Sequence, residues 1–335
     1  MRGSVPVAPA FLVLLLLAAG STQAQPQIAP REDTAPSTWP TKPVRMIVPF
    51  PAGGGTDILA RMVAQKLNEA LGQPVIIDNR GGAGGTLGTE VAAKSAPDGY
   101  TLILVSGSHA INPGLYRTLP YDTVNDFAAI SLIATSPGIL VVHPALPAKS
   151  VRELIALART RPGQLNYASA GSGTPPHLAA ELFRTMASVD IVHVPYKGNA
   201  AALADVIGGH VSLTFPTMPS ALPHVRSGKL RALAVTGARR SPAAPEIPTL
   251  AEAGLPGYEA TSWYGLLAPA RTDPGIITRL HRDVSGMLAS ADVKDRFAGQ
   301  GLEPAANTPQ QFAALIRSEI AKWSKVVKAS GARAD

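Results

Sequence analysis

The sequence predicts an α/β protein built on parallel, doubly wound sheets. Short apolar segments of strand length alternate with segments of helical periodicity along most of the chain. Three of the strands run into turns of small residues that lead directly into a helix. In sheets of this kind ligands bind beyond the carboxyl ends of the strands, so these turns are the first candidates for a site.

The segment from Val44 to Leu71 is the clearest of these units. Its strand and helix are joined by a turn with little side-chain bulk, formed by Phe50, Pro51, Ala52, Gly53, Gly54 and Gly55. We expect Thr56 to cap the helix and Asp57 to lie favourably at the positive end of its dipole. The first N–H groups of a helix have no intrahelical partner, so this turn predicts a site for an anionic oxygen.

Two later turns repeat the arrangement. The second contains Gly84, and the strand after it ends at Ser106, which brings a hydroxyl to the same edge of the sheet. The third precedes a helix that carries His177, and the next strand ends at Tyr196. The third turn consists of Ser169, Ala170, Gly171, Ser172, Gly173 and Thr174.

Several other functions lack their sequence patterns. Neither a Walker loop nor a dinucleotide-binding G-x-G-x-x-G is present, and the seven His show no metal-ligand spacing. The net charge of +7 comes from scattered Lys and Arg without a basic run. We therefore expect no cofactor, no metal and no nucleic-acid partner, and the pattern favours binding without turnover.

The N-terminus has the composition of a secretory signal peptide. An apolar core is followed by small residues that fit cleavage after Ala24, and residues 25–38 are predicted to be a disordered leader. The apolar core is too short for a membrane-spanning helix. Because the chain has no Cys, it can carry neither a disulfide nor a lipid on an N-terminal Cys, and we expect a soluble, secreted protein.

Seven segments of the chain carry a resemblance to a known family: WPTKPVRMIVPFPAGGGTDILAR, NRGGAGGTLG, PDGYTLIL, LNYASAGSGTPPHLAAELF, IVHVPYKG, LPHVRSGKLRALAVT and IPTLAEAGLPGYEATSWYGLLAPA. On these segments the chain closely resembles the extracytoplasmic receptors of tripartite tricarboxylate transporters, often called Bug proteins. The resemblance covers nearly all of residues 39–335.

The resemblance implies a type II periplasmic-binding-protein fold, in which two α/β domains joined by two crossovers close on a ligand in the cleft between them. Domain 1 would be discontinuous, with residues 39–137 and 236–335, and domain 2 would comprise residues 138–235. The crossovers would fall near Ser136 to Gly138 and near Ala234 to Thr236.

The resemblance also implies a function: capture of a small organic carboxylate in the periplasm and its delivery to a membrane permease. The ligand would contact the turn from Phe50 to Gly55, Ser106 and the turn from Ser169 to Thr174, with His177 and Tyr196 close by. We expect a monomer without enzymatic activity.

One departure from the family pattern concerns the ligand. Where relatives often carry an acidic residue this chain has Pro216, which offers no negative charge to a ligand ammonium. This favours a carboxylic acid without an α-amine, such as a di- or tricarboxylate.

Two alternatives stay open at this stage. One is a secreted serine hydrolase that uses Ser172 or Ser108, although the third turn has Ala and Thr where a nucleophile elbow requires Gly. The other is a ligand sensor that feeds a signalling pathway.

Overall fold

The computed structural model describes residues 39–330 together with residues 1, 3 and 4. The predicted signal peptide and leader therefore lie almost wholly outside the described residues. From Trp39 onward the described chain belongs to one compact unit. None of the described helices is both long and apolar enough to cross a membrane.

The described chain alternates between strands and helices, as predicted. The strands are β1 (Val44–Val48), β2 (Val75–Asn79), β3 (Thr101–Ser106), β4 (Phe127–Pro137), β5 (Ile139–Val142), β6 (Asn166–Ser169), β7 (Val192–Pro195), β8 (Leu213–Thr214), β9 (Arg231–Val235), β10 (Thr261–Pro269) and β11 (Glu303–Pro304). The α-helices are α1 (Gly55–Leu71), α2 (Thr86–Ala93), α3 (Ser108–Leu115), α4 (Val151–Thr160), α5 (Pro175–Ala187), α6 (Asn199–Ile207), α7 (Met218–Arg226), α8 (Pro274–Ala289), α9 (Ala291–Gly299) and α10 (Pro309–Ser330).

The strands form two mixed sheets. The first has the order β11-β4-β10-β3-β1-β2, and the second has the order β7-β6-β8-β5-β9. In the first, β1 is parallel to β2 and β3, while β10 is antiparallel to β3 and β4. In the second, β6 is parallel to β7 and β8, while β5 is antiparallel to β8 and β9. The prediction of parallel sheets therefore holds only in part, because β5 and β10, the first strands after the two crossovers, run antiparallel to their neighbours.

The chain crosses between the sheets at one junction. It leaves the first sheet at Gly138, between β4 and β5, and returns to it at Thr261, where β10 begins. Thr236 hydrogen-bonds to both connecting segments: its Oγ1 accepts from Gly138 N–H (2.6 Å) and donates to Ala260 O (2.5 Å). The chain leaves the first sheet within the range predicted for the first crossover, Ser136 to Gly138, whereas Ala234 and Val235 still belong to β9 of the second sheet.

Each sheet lies between helices. Residues of β1 alternate between two separate cores: Met46 and Val48 pack with α1 and α8, and Ile47 packs with α10. In the second sheet, one core contains α4 and α5 and the other contains α6 and α7. Both sheets thus bury apolar side chains on both faces, which matches the continuous apolar runs in the sequence.

The sequence segments Ser150-Val151-Arg152-Glu153 and Thr308-Pro309-Gln310-Gln311 predict helix caps. Both caps are confirmed, at α4 and α10, since Glu153 N–H donates to Ser150 Oγ (3.2 Å) and Gln311 N–H donates to Thr308 Oγ1 (3.2 Å). The prediction for α1 is wrong: Gly54 is the N-cap and the helix begins at Gly55, so Thr56 lies inside the first turn.

Three helices were not expected from the sequence, namely α3, α7 and α9. Pro113 lies inside α3, and Pro219 and Pro223 lie in α7. Because proline is disfavoured inside helices, the sequence of these two segments does not predict a helix. The apolar run from Val211 to Phe215 predicts a strand, but the strand in the structure spans only Leu213–Thr214.

Candidate functional site

The carboxyl ends of the parallel strands of both sheets meet at a cleft. The wider part of this cleft, called here the outer cavity, has a volume of about 350 Å³. The first, second and third turns contribute to its wall together with the end of β7. Its lining residues are Phe50, Pro51, Gly82, Ala83, Gly84, Gly85, Tyr116, Ala170, Gly171, Ser172, Pro195, Tyr196 and Lys197.

A smaller inner cavity of about 30 Å³ adjoins the outer cavity and shares Phe50, Pro51 and Ala170 with it. It is lined in addition by residues from both sheets and from the junction between them. These residues are Gly54, Gly55, Thr56, Ser106, Thr174, Pro175, Pro176, Gly198, Asn199, Ala200, Thr217, Ser262 and Tyr264.

Four helices begin at the inner cavity. Gly54, Thr174, Gly198 and Thr217 are the N-caps of α1, α5, α6 and α7, and all four line it. The positive ends of four helix dipoles therefore converge on one small space whose described side chains include no Asp, Glu, Lys or Arg. This arrangement favours a negatively charged group.

The four helix ends do not offer equal numbers of N–H donors. Pro175 and Pro176 are the first two residues of α5, and Pro219 is the second residue of α7, so α5 has two fewer N–H donors in its first turn and α7 has one fewer. The first turns of α1 and α6 contain no proline. Backbone donors for an anion therefore come mainly from α1 and α6.

The first turn is held in place by Asp57. This buried carboxylate accepts hydrogen bonds from Gly53 N–H (2.9 Å) and Asn79 Nδ2 (3.0 Å), and it pairs with Arg61 (3.0 Å). Burial alone would raise the pKa of Asp57, but these partners outweigh burial and hold the pKa below its ordinary value. Gly53 N–H is thus used within the turn and not offered to a ligand.

The third turn uses most of its own donors in the same way. Gly171 N–H donates to Ser169 Oγ (3.1 Å), Gly173 N–H donates to His177 Nδ1 (3.2 Å), and Thr174 N–H donates to Gly171 O (3.2 Å). This contrasts with the expectation that the third turn is a source of several backbone donors. Its contribution to the cleft is its surface, formed by Ala170, Gly171 and Ser172.

His177 lies behind the third turn, in a stack of rings. Its imidazole stacks on His193 at 4.2 Å between centroids, and His193 stacks on Tyr167 at 4.8 Å. Burial lowers the pKa of His177, and burial with the nearby His177 ring lowers the pKa of His193 to about 4. His177 is therefore neutral near pH 7 and holds Gly173 in position.

The Tyr196 ring lines the outer cavity, but its hydroxyl points to another partner. It donates a short hydrogen bond to Asp205 of α6. Burial and this carboxylate raise the pKa of Tyr196 to about 12. The ring offers an apolar surface and the hydroxyl is already bonded.

Three buried polar atoms at the inner cavity have no hydrogen-bond partner among the described residues. They are Asn199 Oδ1, Ser262 Oγ and the Tyr264 hydroxyl. Burial raises the pKa of Tyr264 above its usual range, so its hydroxyl keeps the proton and can donate it. Unpaired polar atoms of this kind are costly unless a ligand or water binds them.

The predicted site residues fall into two groups. Most of them line the cleft: Phe50, Gly54, Gly55, Gly84, Ser106, Gly171, Ser172, Thr174 and Tyr196. The others lie outside both cavities: Ala52, Gly53, Ser169, Gly173 and His177. Ala52 and Gly53 are exposed beside the cleft, whereas Ser169, Gly173 and His177 are buried beneath the third turn.

Several lining residues were missed from the sequence. Lys197 and Gly198 lie in a fourth strand-to-helix turn, between β7 and α6, and Asn199 is the first residue of α6; the same pattern could have identified this turn. Ser262 and Tyr264 lie within an antiparallel strand and have no local signal. Pro216 lines neither cavity and its neighbour Thr217 lines the inner one, so Pro216 is not in direct reach of a ligand there.

Metal binding and serine chemistry have little support in the described residues. No group of three or more His, Asp or Glu comes together there as a metal site. No described hydrogen bond joins Ser172 or Ser108 to a His. Ser169 does bond His193 Nε2 (2.7 Å), but Ser169 is fully buried.

Comparisons with known proteins agree on one family. The family model described as tripartite tricarboxylate transporter family receptor matches residues 59–332. Protein BugT of Bordetella pertussis is 43% identical over 298 residues, which cover 88% of this chain and 91% of BugT.

Solved structures of similar proteins include two with carboxylates. Rpa4515 of R. palustris with adipate is 43% identical, with a TM-score of 0.86 over 88% of this chain and 99% of that one. MatC of Rhodopseudomonas palustris with bound malate is 34% identical, with a TM-score of 0.81 over 86% of this chain and 100% of that one.

Proposed function

The chain belongs to the tripartite tricarboxylate transporter receptor family, and from this premise we propose that it captures a small organic carboxylate in its cleft and delivers it to a membrane permease. The observation that carries the proposal is the convergence of four helix N-termini on the inner cavity. A carboxylate placed there meets the positive ends of the dipoles and the N–H groups of α1 and α6.

The size and the wall of the cleft support a small acid with more than one carboxylate. The inner cavity has room for one carboxylate group, and the outer cavity has room for the rest of a small molecule. Lys197 is the one Lys or Arg among the described residues of the outer wall, and it offers a charge to a second carboxylate. The adipate of Rpa4515 and the malate of MatC are acids of this kind.

We propose that the ligand contacts come from Gly54, Gly55, Ser106, Thr174 and Tyr196, as the sequence suggested. Asn199, Thr217, Ser262, Tyr264 and Lys197 complete this set.

The two sheets are proposed to act as domains that close on the ligand. The first segment of domain 1 comprises residues 39–137, and domain 2 begins at residue 138. The sequence placed the end of domain 2 at residue 235, but Leu250, Leu255 and Tyr258 pack in a core of the second sheet. This packing favours a boundary near Thr261, and it leaves Thr236 at the junction as the hinge.

The place of action and the partner follow from the family. We propose that the signal peptide directs the chain to the periplasm, that the mature chain is a monomer without catalytic activity, and that permease subunits of a tripartite tricarboxylate transporter are its partners. A role as a ligand sensor would use the same cleft with a different partner.

The hydrolase alternative is left with one observation in its favour, the hydrogen bond between Ser169 and His193. Ser169 has no exposed surface and also accepts from Gly171 N–H, so a substrate carbonyl cannot reach its hydroxyl without displacing the third turn. Binding without turnover is the better explanation of this pair.

Native mass spectrometry of the chain purified under mild conditions tests the proposal. A retained small acid should be released unchanged on denaturation, and its mass should stay constant during prolonged incubation with the protein. Accumulation of a cleavage product would favour the hydrolase and contradict the receptor.

A further inference from the structure

The proposed function counts Asn199 among the ligand contacts but assigns no role to its side-chain oxygen. Asn199 is the first residue of α6, lines the inner cavity and is 8% exposed. Its Nδ2 donates to Thr217 Oγ1 (3.4 Å), and its Oδ1 has no partner among the described residues. The orientation of this amide decides whether the ligand meets a donor or an acceptor.

The neighbouring hydroxyls determine that orientation. Ser220 Oγ donates its one proton to Thr217 O (2.9 Å), so in the bond between Thr217 Oγ1 and Ser220 Oγ (3.1 Å) the donor is Thr217. Thr217 Oγ1 has then used its own proton and can only accept from Asn199. The amide must keep Nδ2 on Thr217, and Oδ1 remains as the unpaired atom.

The other unpaired polar groups of the inner cavity can all donate a hydrogen bond. The Ser262 and Tyr264 hydroxyls are unpartnered, and the first N–H groups of α1 and α6 have no intrahelical partner. All of these can donate to a carboxylate, whereas Asn199 Oδ1 can only accept. A ligand that satisfies the whole cavity therefore combines an anionic group with a hydrogen-bond donor beside it.

Electrostatics decide which donor fits. An ammonium would lie at the positive ends of four helices, and no Asp or Glu among the described residues lines either cavity to compensate it. A hydroxyl donates to Asn199 Oδ1 without that penalty.

Resting on the proposed function, we propose that Asn199 is a specificity-determining residue which accepts a hydrogen bond from a ligand hydroxyl, so that this receptor prefers a hydroxy acid to the same acid without the hydroxyl.

Calorimetry with pairs of acids that differ by one hydroxyl tests this proposal. The pairs are malate with succinate, 2-hydroxyglutarate with glutarate, and citrate with tricarballylate. In the tightest-binding pair the hydroxy acid should bind about tenfold more tightly, which is equivalent to about 1.4 kcal/mol. Asn199→Ala should reduce the ratio of the two affinities to about one.

Ser262→Ala is the matched control, because it removes a donor from the same cavity. It should weaken both members of a pair by a similar factor and leave their ratio unchanged. Circular dichroism of both variants checks that each is folded, and Ala at position 199 suits the first turn of a helix.

The outcomes distinguish a failure of the role of Asn199 from a failure of the proposed receptor function. If the hydroxyl-free acids bind at least as tightly as their partners, or if Asn199→Ala keeps the ratio, the role of Asn199 is wrong and the receptor function stands. Tighter binding of aspartate than of malate would also overturn it. If none of the acids binds, the proposed function fails and the role of Asn199 fails with it.

Discussion

A Cβ atom added to Gly55 would lie 2.2 Å from Oγ1 of Thr217. Gly55 begins α1 beside the first sheet, and Thr217 is the N-cap of α7 beside the second. A real Cβ does not approach another atom so closely, so glycine at this position lets the two parts of the inner cavity wall meet. Only a residue without a side chain allows this approach.

Gly55→Ala should therefore weaken ligand binding. The added methyl group displaces Thr217, and overpacking of this kind costs about 1 to 3 kcal/mol. We expect the affinity for the best carboxylate to fall about tenfold or more in calorimetry. Gly286→Ala is the control: Gly286 is an exposed helical glycine with nothing within 4 Å of an added Cβ, so alanine should stabilise α8 slightly. Unchanged affinity in Gly55→Ala would show that the close approach is not needed for binding.

Lys197→Ala should weaken the binding of dicarboxylates more than that of monocarboxylates. Lys197 lines the outer cavity and is exposed, so its contribution is modest, about 1 kcal/mol or less, and should shrink at high salt. The exposed Lys229 lines neither cavity, and Lys229→Ala removes the same charge as a control. An equal effect of the two variants, or no dependence on salt, would contradict a direct role for Lys197.

Stability should decline in mild acid because of His109. Its Nε2 donates to Thr123 O (3.0 Å), its Nδ1 has no partner among the described residues, and burial lowers its pKa to about 4. As the pH falls from about 6.5 to 4 the unfolded chain gains a proton that the folded chain does not. The contribution of neutral His109 to the free energy of unfolding is complete above pH 6.5, and it decreases by about 3 kcal/mol as the pH falls to 4.

Urea unfolding of the wild type and of His109→Gln at pH 7 and pH 4.5 measures this effect. The free energy of unfolding should fall less in the variant, because Gln does not titrate. The remaining fall comes in part from His193 and His177, whose pKa values are also lowered by burial. An identical fall in both proteins would show that His109 does not contribute.

Local signals in the sequence were sufficient for much of the fold. The capping boxes at Ser150 and Thr308 involve residues three positions apart, so the sequence shows both partners. The turns around Gly54, Gly84 and Ser172 follow strands at the carboxyl edge, where parallel pairing brings them together. The location of the cleft could be inferred for this reason.

What could not be inferred depends on contacts between distant segments. Ser262 and Tyr264 reach the inner cavity because β10 pairs antiparallel with β3 and β4. The donors of the third turn are used by Ser169 and His177, whose side chains fold back on it, so a glycine-rich turn there offered fewer N–H groups than its composition suggested.

Thermal unfolding with a panel of carboxylates is the most direct measurement of whether the cleft binds such a ligand. Mono-, di- and tricarboxylates are added to the mature chain, each at a concentration high enough to saturate a micromolar site. At about a hundred times its Kd a ligand adds about 2.7 kcal/mol to the free energy of unfolding, which should raise the Tm by about 5 °C or more. We expect at least one di- or tricarboxylate to do so and aspartate and glutamate to do less. A panel in which no carboxylate raises the Tm, or in which an amino acid raises it most, would contradict the proposed receptor.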